Sequence, residues 1–506
     1  MTMLQVTVMK RVLPLFLLLW ACAEPVNDPP QIMFGGEMHN SNASTPASIE
    51  SSMDVAVAMG MNSVLAPVSW EQTEIAPGVY DFSLVDHIIR SAEKRNLWLG
   101  LLWFGSWKNG ESSYPPLWIK TDTETYFRAL DKDGTPTTAI SPFCEEARKA
   151  DERAFSALMA HLKKVDKGHR VRAVQLENEV GAFIERDCSA PALAAWEAGD
   201  WESRYPGILA PQYFMADAFA RYVDSVAAAG KAAYDIPVFA NAWLKPVDAP
   251  FGVYPNGGPR IAVLDLWKSL TPHLDWISPD IYDPGFAELC AAYSGDQPLF
   301  IPETLCRAGR LYYAIGEAHA KGVFGFGYEE YFDDPYFVQE CRVLSELVPM
   351  MDESRPMRGF YREPNLDPLD GEVSLSFGDY VLDVHYVAGE KNAHGIIIRT
   401  GEDEFIVSGV GAWIDFHHGA DICKLAYCEE LENGKVYQVI NGDETGHHNM
   451  LYLRGRLYLN DFEAHDGTTI PAPMYRLSHQ RRFMESAHKR FKVSGIYRIK
   501  LYSYDK

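Results

Sequence analysis

Apolar and polar positions divide the chain into two regimes. From residue 31 to about residue 335, short apolar runs of strand length alternate with longer stretches of helical spacing. The strand-like runs are 31–37, 62–68, 97–103, one opening at Val171, 236–241, 274–282, 299–303 and 322–327. Residues 48–59, 83–95, 145–165, 214–233, 261–270, 286–293 and 310–321 instead repeat apolar residues at the spacing of a helix face. The run 97–103 is apolar throughout, as in a strand covered on both faces. Eight strands alternating with helices predict a parallel (β/α)8 TIM barrel. From about residue 364 the pattern becomes alternation of period two, as in 380–387 and 496–502, with turn chemistry at Asn433-Gly434 and Arg454-Gly455. This second regime predicts an all-β sandwich. The expected division is a leader and tether over 1–30, a catalytic barrel over 31–363 and a β-sandwich accessory domain over 364–506, serving as a buttress or as a carbohydrate-binding module. A long loop is expected over 182–212.

Such barrels build their sites at the C-terminal ends of the strands. The residues closing the eight runs are Glu37, Trp70, Trp103, Glu179, Asn241, Tyr282, Glu303 and Tyr328. The fourth strand reads Gln175-Leu176-Glu177-Asn178-Glu179, and alternation puts Gln175, Glu177 and Glu179 on one face. Buried carboxylates cost several kcal/mol each unless compensated, so this pattern is chemical rather than architectural. Glu179 and Glu303, on strands four and seven, face each other across the predicted mouth. Two carboxyl groups so placed suit hydrolysis of a glycosidic bond, Glu179 as proton donor and Glu303 as nucleophile. Tyr282 is placed to donate to Glu303, and Asn178 to bind the sugar's 2-hydroxyl. Glu177, deeper on the strand, reads as a hydrogen-bonded structural carboxylate. The expected substrate-binding set is Glu37, Asn40, Trp70, Trp103, Trp107, Asn178, Asn241, Tyr282 and Tyr328. Each tryptophan taken singly fits a core as well as a sugar platform, and at least two of Trp70, Trp103, Trp107 and Trp243 are expected to line the pocket.

The N-terminus adds an address. Lys10-Arg11 precede an apolar run, 12–20, too short to span a bilayer but of the length of a secretory core. Leu19-Trp20-Ala21-Cys22 resembles a bacterial lipobox with Cys22 as the lipidated residue. The expectation is an exported lipoprotein, periplasmic or at the cell surface, touching membrane only through that anchor. A formal net charge of -23 argues against nucleic acid as a partner. The remaining cysteines are scattered and odd in number, which is not a disulfide framework, and no metal-ligand spacing stands out. No metal and no cofactor is expected.

The stretch 175–181 (Gln-Leu-Glu-Asn-Glu-Val-Gly) with Glu303 resembles the β-galactosidases of glycoside hydrolase family 35, in a bacterial branch related to family 42. Gly35-Gly36-Glu37, Ala66-Pro67-Val68-Ser69-Trp70-Glu71, Leu102 through Asn109, Ser141-Pro142-Phe143 and Pro279-Asp280-Ile281-Tyr282 carry the same resemblance. It implies retaining, metal-independent release of terminal β-galactose, with the family's Asn-Glu pair at Asn178-Glu179 and its nucleophile at Glu303. The glutamate that better-known members carry in the strand-three loop is missing from 103–109, and the last strand runs into Gly327-Tyr328-Glu329-Glu330. Other expectations consistent with the sequence are a β-glucosidase or α-L-arabinopyranosidase, and a surface glycan-binding lipoprotein without catalysis.

Overall fold

In a computed structural model, residues 31–364, 371–458 and 491–505 are described. The leader, the tether and Cys22 lie outside them. Eight parallel strands close a barrel: β1 (Met33–Glu37), β2 (Ser63–Ser69), β3 (Trp98–Lys108), β4 (Val171–Asn178), β5 (Val238–Trp243), β6 (Trp276–Ile281), β7 (Phe300–Thr304) and β8 (Gly322–Phe326). β8 pairs with β1 from Met33↔Gly322 to Glu37↔Phe326, completing the circle. The lumen is filled by Met33, Leu65, Leu102, Phe104, Ala173, Phe239, Phe300 and Phe324. The opposite strand faces pack on the surrounding helices.

Those helices are α1 (Pro46–Ala58), α2 (Ser83–Lys94), α3 (Glu145–Val165), α4 (Leu209–Ala233), α5 (Leu264–Leu270), α6 (Phe286–Tyr293), α7 (Ala308–Gly316) and α8 (Pro335–Leu347). Their starts follow local chemistry. Thr45 caps α1 in a reciprocal pair with Ser48, and Pro46 takes the first turn, where its missing N–H is not needed. Asp334 likewise accepts from the amides of Tyr336 and Phe337 ahead of Pro335 in α8. The expected loop over 182–212 contains two short helices, Ala190–Ala198 and Trp201–Arg204. Trp201 and Trp196 pack there against Phe214 of α4, so apolar burial orders the segment.

The second domain is a sandwich of two antiparallel sheets. One orders β9 (Met357–Tyr361), β12 (His394–Arg399), β13 (Glu404–Val410), β18 (Gly495–Tyr504), β15 (Ile422–Glu432) and β16 (Lys435–Val439). The other orders β10 (Glu372–Phe377), β11 (Tyr380–Tyr386), β14 (Ala412–His418) and β17 (Met450–Leu453). Residues of both sheets, including Leu382, Ile414, Val407 and Ile499, form its core. The sandwich begins before the expected boundary at 364, because β9 is hydrogen-bonded to β12 along its whole length.

Candidate active site

Glu179 sits one residue beyond β4, and Glu303 is the fourth residue of β7. Beside them Asp280 of β6 is in register with Glu303. One carboxylate oxygen from each of Glu179, Asp280 and Glu303 lies within 4.8 Å of the others. All three side chains are buried, as is Glu37 at the end of β1. Charge of one sign so concentrated must be offset, and the offsets determine the protonation states. Burial pushes the Glu179 carboxyl up to about 8, the charge of Glu303 adds to the rise, and Lys108 and a hydrogen bond with Asp280 oppose it. Glu179 therefore holds its proton at neutral pH. Asp280 and Glu37 are also driven well above the carboxylate range, by burial first and by Glu303 next.

Glu303 is surrounded differently. The Tyr282 hydroxyl donates to its Oε2 at 2.5 Å, and burial beside that charge pushes the phenol well above its usual value. With the Asn178 amide turned so that its oxygen accepts from Lys108 Nζ at 3.1 Å, its nitrogen donates to Glu303 Oε1 at 3.3 Å. An ammonium is donor-only, so that orientation is the one its neighbour Lys108 permits. Asn241, on β5, accepts from the Glu179 backbone N–H at 2.9 Å and donates to Asp280 Oδ2 at 2.7 Å. The loop after β3 holds the same backbone, Asn109 N–H donating to the Asn178 carbonyl and Gly110 N–H to that of Glu179. Glu179, Asp280 and Glu303 are the one acidic group among the described residues spaced to share a cation.

Five predicted residues, Glu37, Glu179, Glu303, Asn178 and Tyr282, thus meet at the mouth, and Asn241 positions the acid's backbone. Asn40 is half-buried in the loop after β1, facing the Tyr114 hydroxyl.

Four predicted residues do not reach the mouth. Trp70, Trp103, Trp107 and Tyr328 are each 0 % exposed and belong to the core between barrel and helices. The Trp103 indole donates to Asp151 of α3, the Trp107 indole to the Ile140 carbonyl, and the Trp70 indole to Glu74. The Tyr328 hydroxyl donates to the Ser52 carbonyl. The correction has a geometric cause: Leu102 and Phe104 point into the lumen, so Trp103 between them must point out. Trp243 is half-buried at the end of β5, edge-on to Phe183 and Tyr254.

Glu177 does not share the face of Glu179. Both residues have positive φ, 63° and 48°, and this breaks the alternation of β4. The Glu177 carboxyl turns outward and accepts from the amides of Ser106 (3.1 Å) and Trp107 (2.7 Å). Burial, then the charge of Asp151, raise it well above the usual range, and the two carboxyl groups are hydrogen-bonded to each other. Gly105 permits the approach: a Cβ there would stand 2.7 Å from Glu177 Oε1 and 2.6 Å from the Trp103 indole nitrogen.

Lys108 and Asp280 were missed as site residues by sequence reasoning. The apolar run of β3 ends at Trp103, but the strand continues through an irregularity to pair Lys108 with Asn178. Asp280 did leave a signal, a charged residue within a buried strand, the same signal that singled out β4.

Residues 25–197 match the family model "Glycosyl hydrolases family 35", and residues 340–451 match "Domain of unknown function (DUF5597)". No curated protein matches the chain. Among solved structures, the β-galactosidase from Bacillus circulans sp. alkalophilus aligns with TM-score 0.48 and 18% identity over 65% of this chain and 57% of that one. The cold-adapted β-galactosidase from Rahnella sp. R3 aligns with TM-score 0.47 and 14% identity over 66% of this chain and 58% of that one. The catalytic domain of the β-amylase from Paenibacillus polymyxa aligns with TM-score 0.45 and 11% identity over 59% of this chain and 92% of that one. The chain therefore spans less than two thirds of the length of either β-galactosidase.

Proposed function

We propose that this chain, whose residues 25–197 match the family model for glycosyl hydrolases family 35, is a retaining exo-β-galactosidase releasing terminal β-D-galactose from oligo- or polysaccharide side chains. The observation that carries this reading is the unequal pair at the mouth. Glu179 keeps its proton up to about pH 8, while Glu303 is met by the donor Tyr282 at 2.5 Å. Their oxygens lie within 4.8 Å of each other, close to the roughly 5–5.5 Å of enzymes in which the second carboxylate attacks directly and well short of the wider gap that admits a water. In the first step Glu303 attacks the anomeric carbon as Glu179 gives its proton to the departing oxygen. In the second, Glu179 takes a proton from water, whose oxygen displaces Glu303 and restores the configuration at that carbon. The Glu303 charge, which adds to burial in keeping Glu179 protonated, disappears when the glycosyl ester forms, so Glu179 becomes a stronger acid as its proton is needed and a carboxylate base for the return.

Proton NMR of galactose released from nitrophenyl β-galactoside tests the reading: β-galactose should appear first and mutarotate later. First appearance of the α anomer, or full turnover by Glu303→Gln, would overturn it. Export with lipid attachment at Cys22 belongs to the same proposal, supported by Lys10-Arg11 and the apolar run 12–20. Metabolic labelling with palmitate, lost in Cys22→Ser, checks it.

A further inference from the structure

The loop that follows β5 carries two cations with no anion to meet them. Arg260 is 2 % exposed; its Nη2 donates to Asn256 Oδ1 at 3.0 Å, while Nε and Nη1 find no acceptor among the described residues. Lys245, half-buried, has a Nζ shielded from solvent and equally without an acceptor, 5.6 Å from the centre of the Phe251 ring. Neither forms an ion pair with a described carboxylate. The two oppose each other electrostatically: burial, then the charge of Arg260, brings the Lys245 ammonium down to about 8, and burial brings Arg260 to about 10. A buried cation costs several kcal/mol unless a counter-charge or full hydrogen bonding repays it, and here two stand together without either. A single oxyanion between them would satisfy both, the guanidinium offering the fork that carboxylate and sulfate groups fit.

The place of this pair in the fold limits what the anion belongs to. Gly257, three residues before Arg260, pairs with Gly181, two residues after Glu179. Lys245 follows Trp243 at the end of β5, the strand whose Asn241 holds the Glu179 amide. Trp243 stands edge to face with Phe183 of the loop after β4 and Tyr254 of the loop after β5. This is the sector of the mouth that holds the proton donor, over which the leaving-group portion of a glycoside must pass.

We propose that Lys245 and Arg260 form an oxyanion subsite that takes a carboxylate or sulfate carried by the leaving-group portion of the saccharide. Its placement rests on the glycosidase reading; the existence of the anion site does not.

The full chain is melted in sodium sulfate and in sodium chloride at matched ionic strength, pH 7. Sulfate should raise Tm saturably by about 2 °C beyond chloride. The rise should vanish in Lys245→Met and persist in Lys245→Arg. No rise in the unaltered protein, or an equal rise in Lys245→Met, overturns the site. Lys245 is chosen because Arg260 is buried deeply enough for its loss to disturb folding. A second arm compares kcat/KM for a galactosyl-β-glucuronate with that for its methyl ester. A preference of about tenfold for the free acid is expected, abolished in Lys245→Met, with nitrophenyl β-galactoside turned over equally by both proteins. A sulfate-dependent rise without that preference overturns the saccharide assignment and leaves a site for free inorganic oxyanions. Failure to cleave any β-galactoside counts against the glycosidase reading, while the melting arm still decides the anion site.

Discussion

Replacing Glu179, the proposed proton donor, should stabilise the protein, and the gain should depend on pH. Glu179 has its carboxyl at about 8 in the folded chain against an ordinary 4.5. Below pH 4.5 folded and unfolded chains both hold the proton, and the folded state pays nothing for this residue. As pH rises from 4.5 to 8 the unfolded chain releases its proton and the folded chain does not, so stability falls steadily. Above 8 both are ionised and the full cost remains. The gap between 4.5 and about 8, at about 1.36 kcal/mol per pH unit, comes to about 5 kcal/mol as an upper bound. The residue is 5 % exposed, so solvent screening takes little of it. Glu179→Gln cannot titrate and still offers an amide to Asp280. Urea denaturation of both proteins at pH 4.5, 6, 7.5 and 9 should show the variant's advantage growing with pH and levelling near 8. Acids remote from the mouth bend both curves alike, so the difference reports residue 179 together with the Asp280 and Glu37 carboxyl groups on which its charge acts. An advantage that stays constant with pH, or shrinks as pH rises, would refute the protonation assigned to Glu179.

The same assignment sets the alkaline limb of kcat/KM near pH 8, and Lys108→Met should move that limb upward because the Lys108 charge opposes the rise of Glu179; a pH-rate profile on nitrophenyl β-galactoside reads both. Tyr282→Phe removes a bond to a charged acceptor, worth about 1.5–3 kcal/mol, and should lower kcat/KM by about 10–150-fold while circular dichroism stays native. Trp107→Phe should lower stability by about 1–3 kcal/mol in urea and leave KM within about twofold, the opposite of what a sugar platform would give.

Much of the barrel was legible because its strands are apolar where helices cover them, and polar residues at their C-terminal ends mark the mouth. Helix 145–165 was expected with the bounds it has as α3, since its apolar face repeats cleanly over many turns. Helix α8 was overlooked although Asp334-Pro335 announces it as α1 is announced by Thr45-Pro46, by a capping side chain before a first-turn proline. The tryptophans were misjudged for a different reason. Which way Trp103 points depends on where the lumen lies relative to strand parity, and composition says nothing of that. Left-handed backbone at Glu177 and Glu179 themselves turns the two side chains apart, and neither is a glycine or asparagine that would have signalled the break.

What holds four carboxyl groups so close together is spread well beyond the residues that carry them. The raised proton affinities of Glu179, Asp280 and Glu37 persist only while the strand ends stay in place. The ends of β6 and β7 are tied from behind by Arg310 of α7, whose guanidinium donates to the carbonyls of Ile281 (2.6 Å) and Asp283 (2.8 Å) and to Thr304 Oγ1 (3.3 Å). Arg310 is 2 % exposed, and its nearest carboxylate partner, Glu363 at 3.4 Å, follows directly on β9 of the sandwich. Glu363 also accepts from the amide of Phe286 at the start of α6. A second seam joins α8 to the sandwich: buried Glu340 accepts from the Ser494 amide at 2.9 Å and from the Tyr312 hydroxyl of α7 at 3.0 Å. Of the two roles open to the sandwich, these contacts support the buttress. It supplies the counter-charge for an arginine that fixes the strand ends on which Asp280, Tyr282 and Glu303 stand, so the placement of the Glu303 carboxyl depends on a domain outside the barrel.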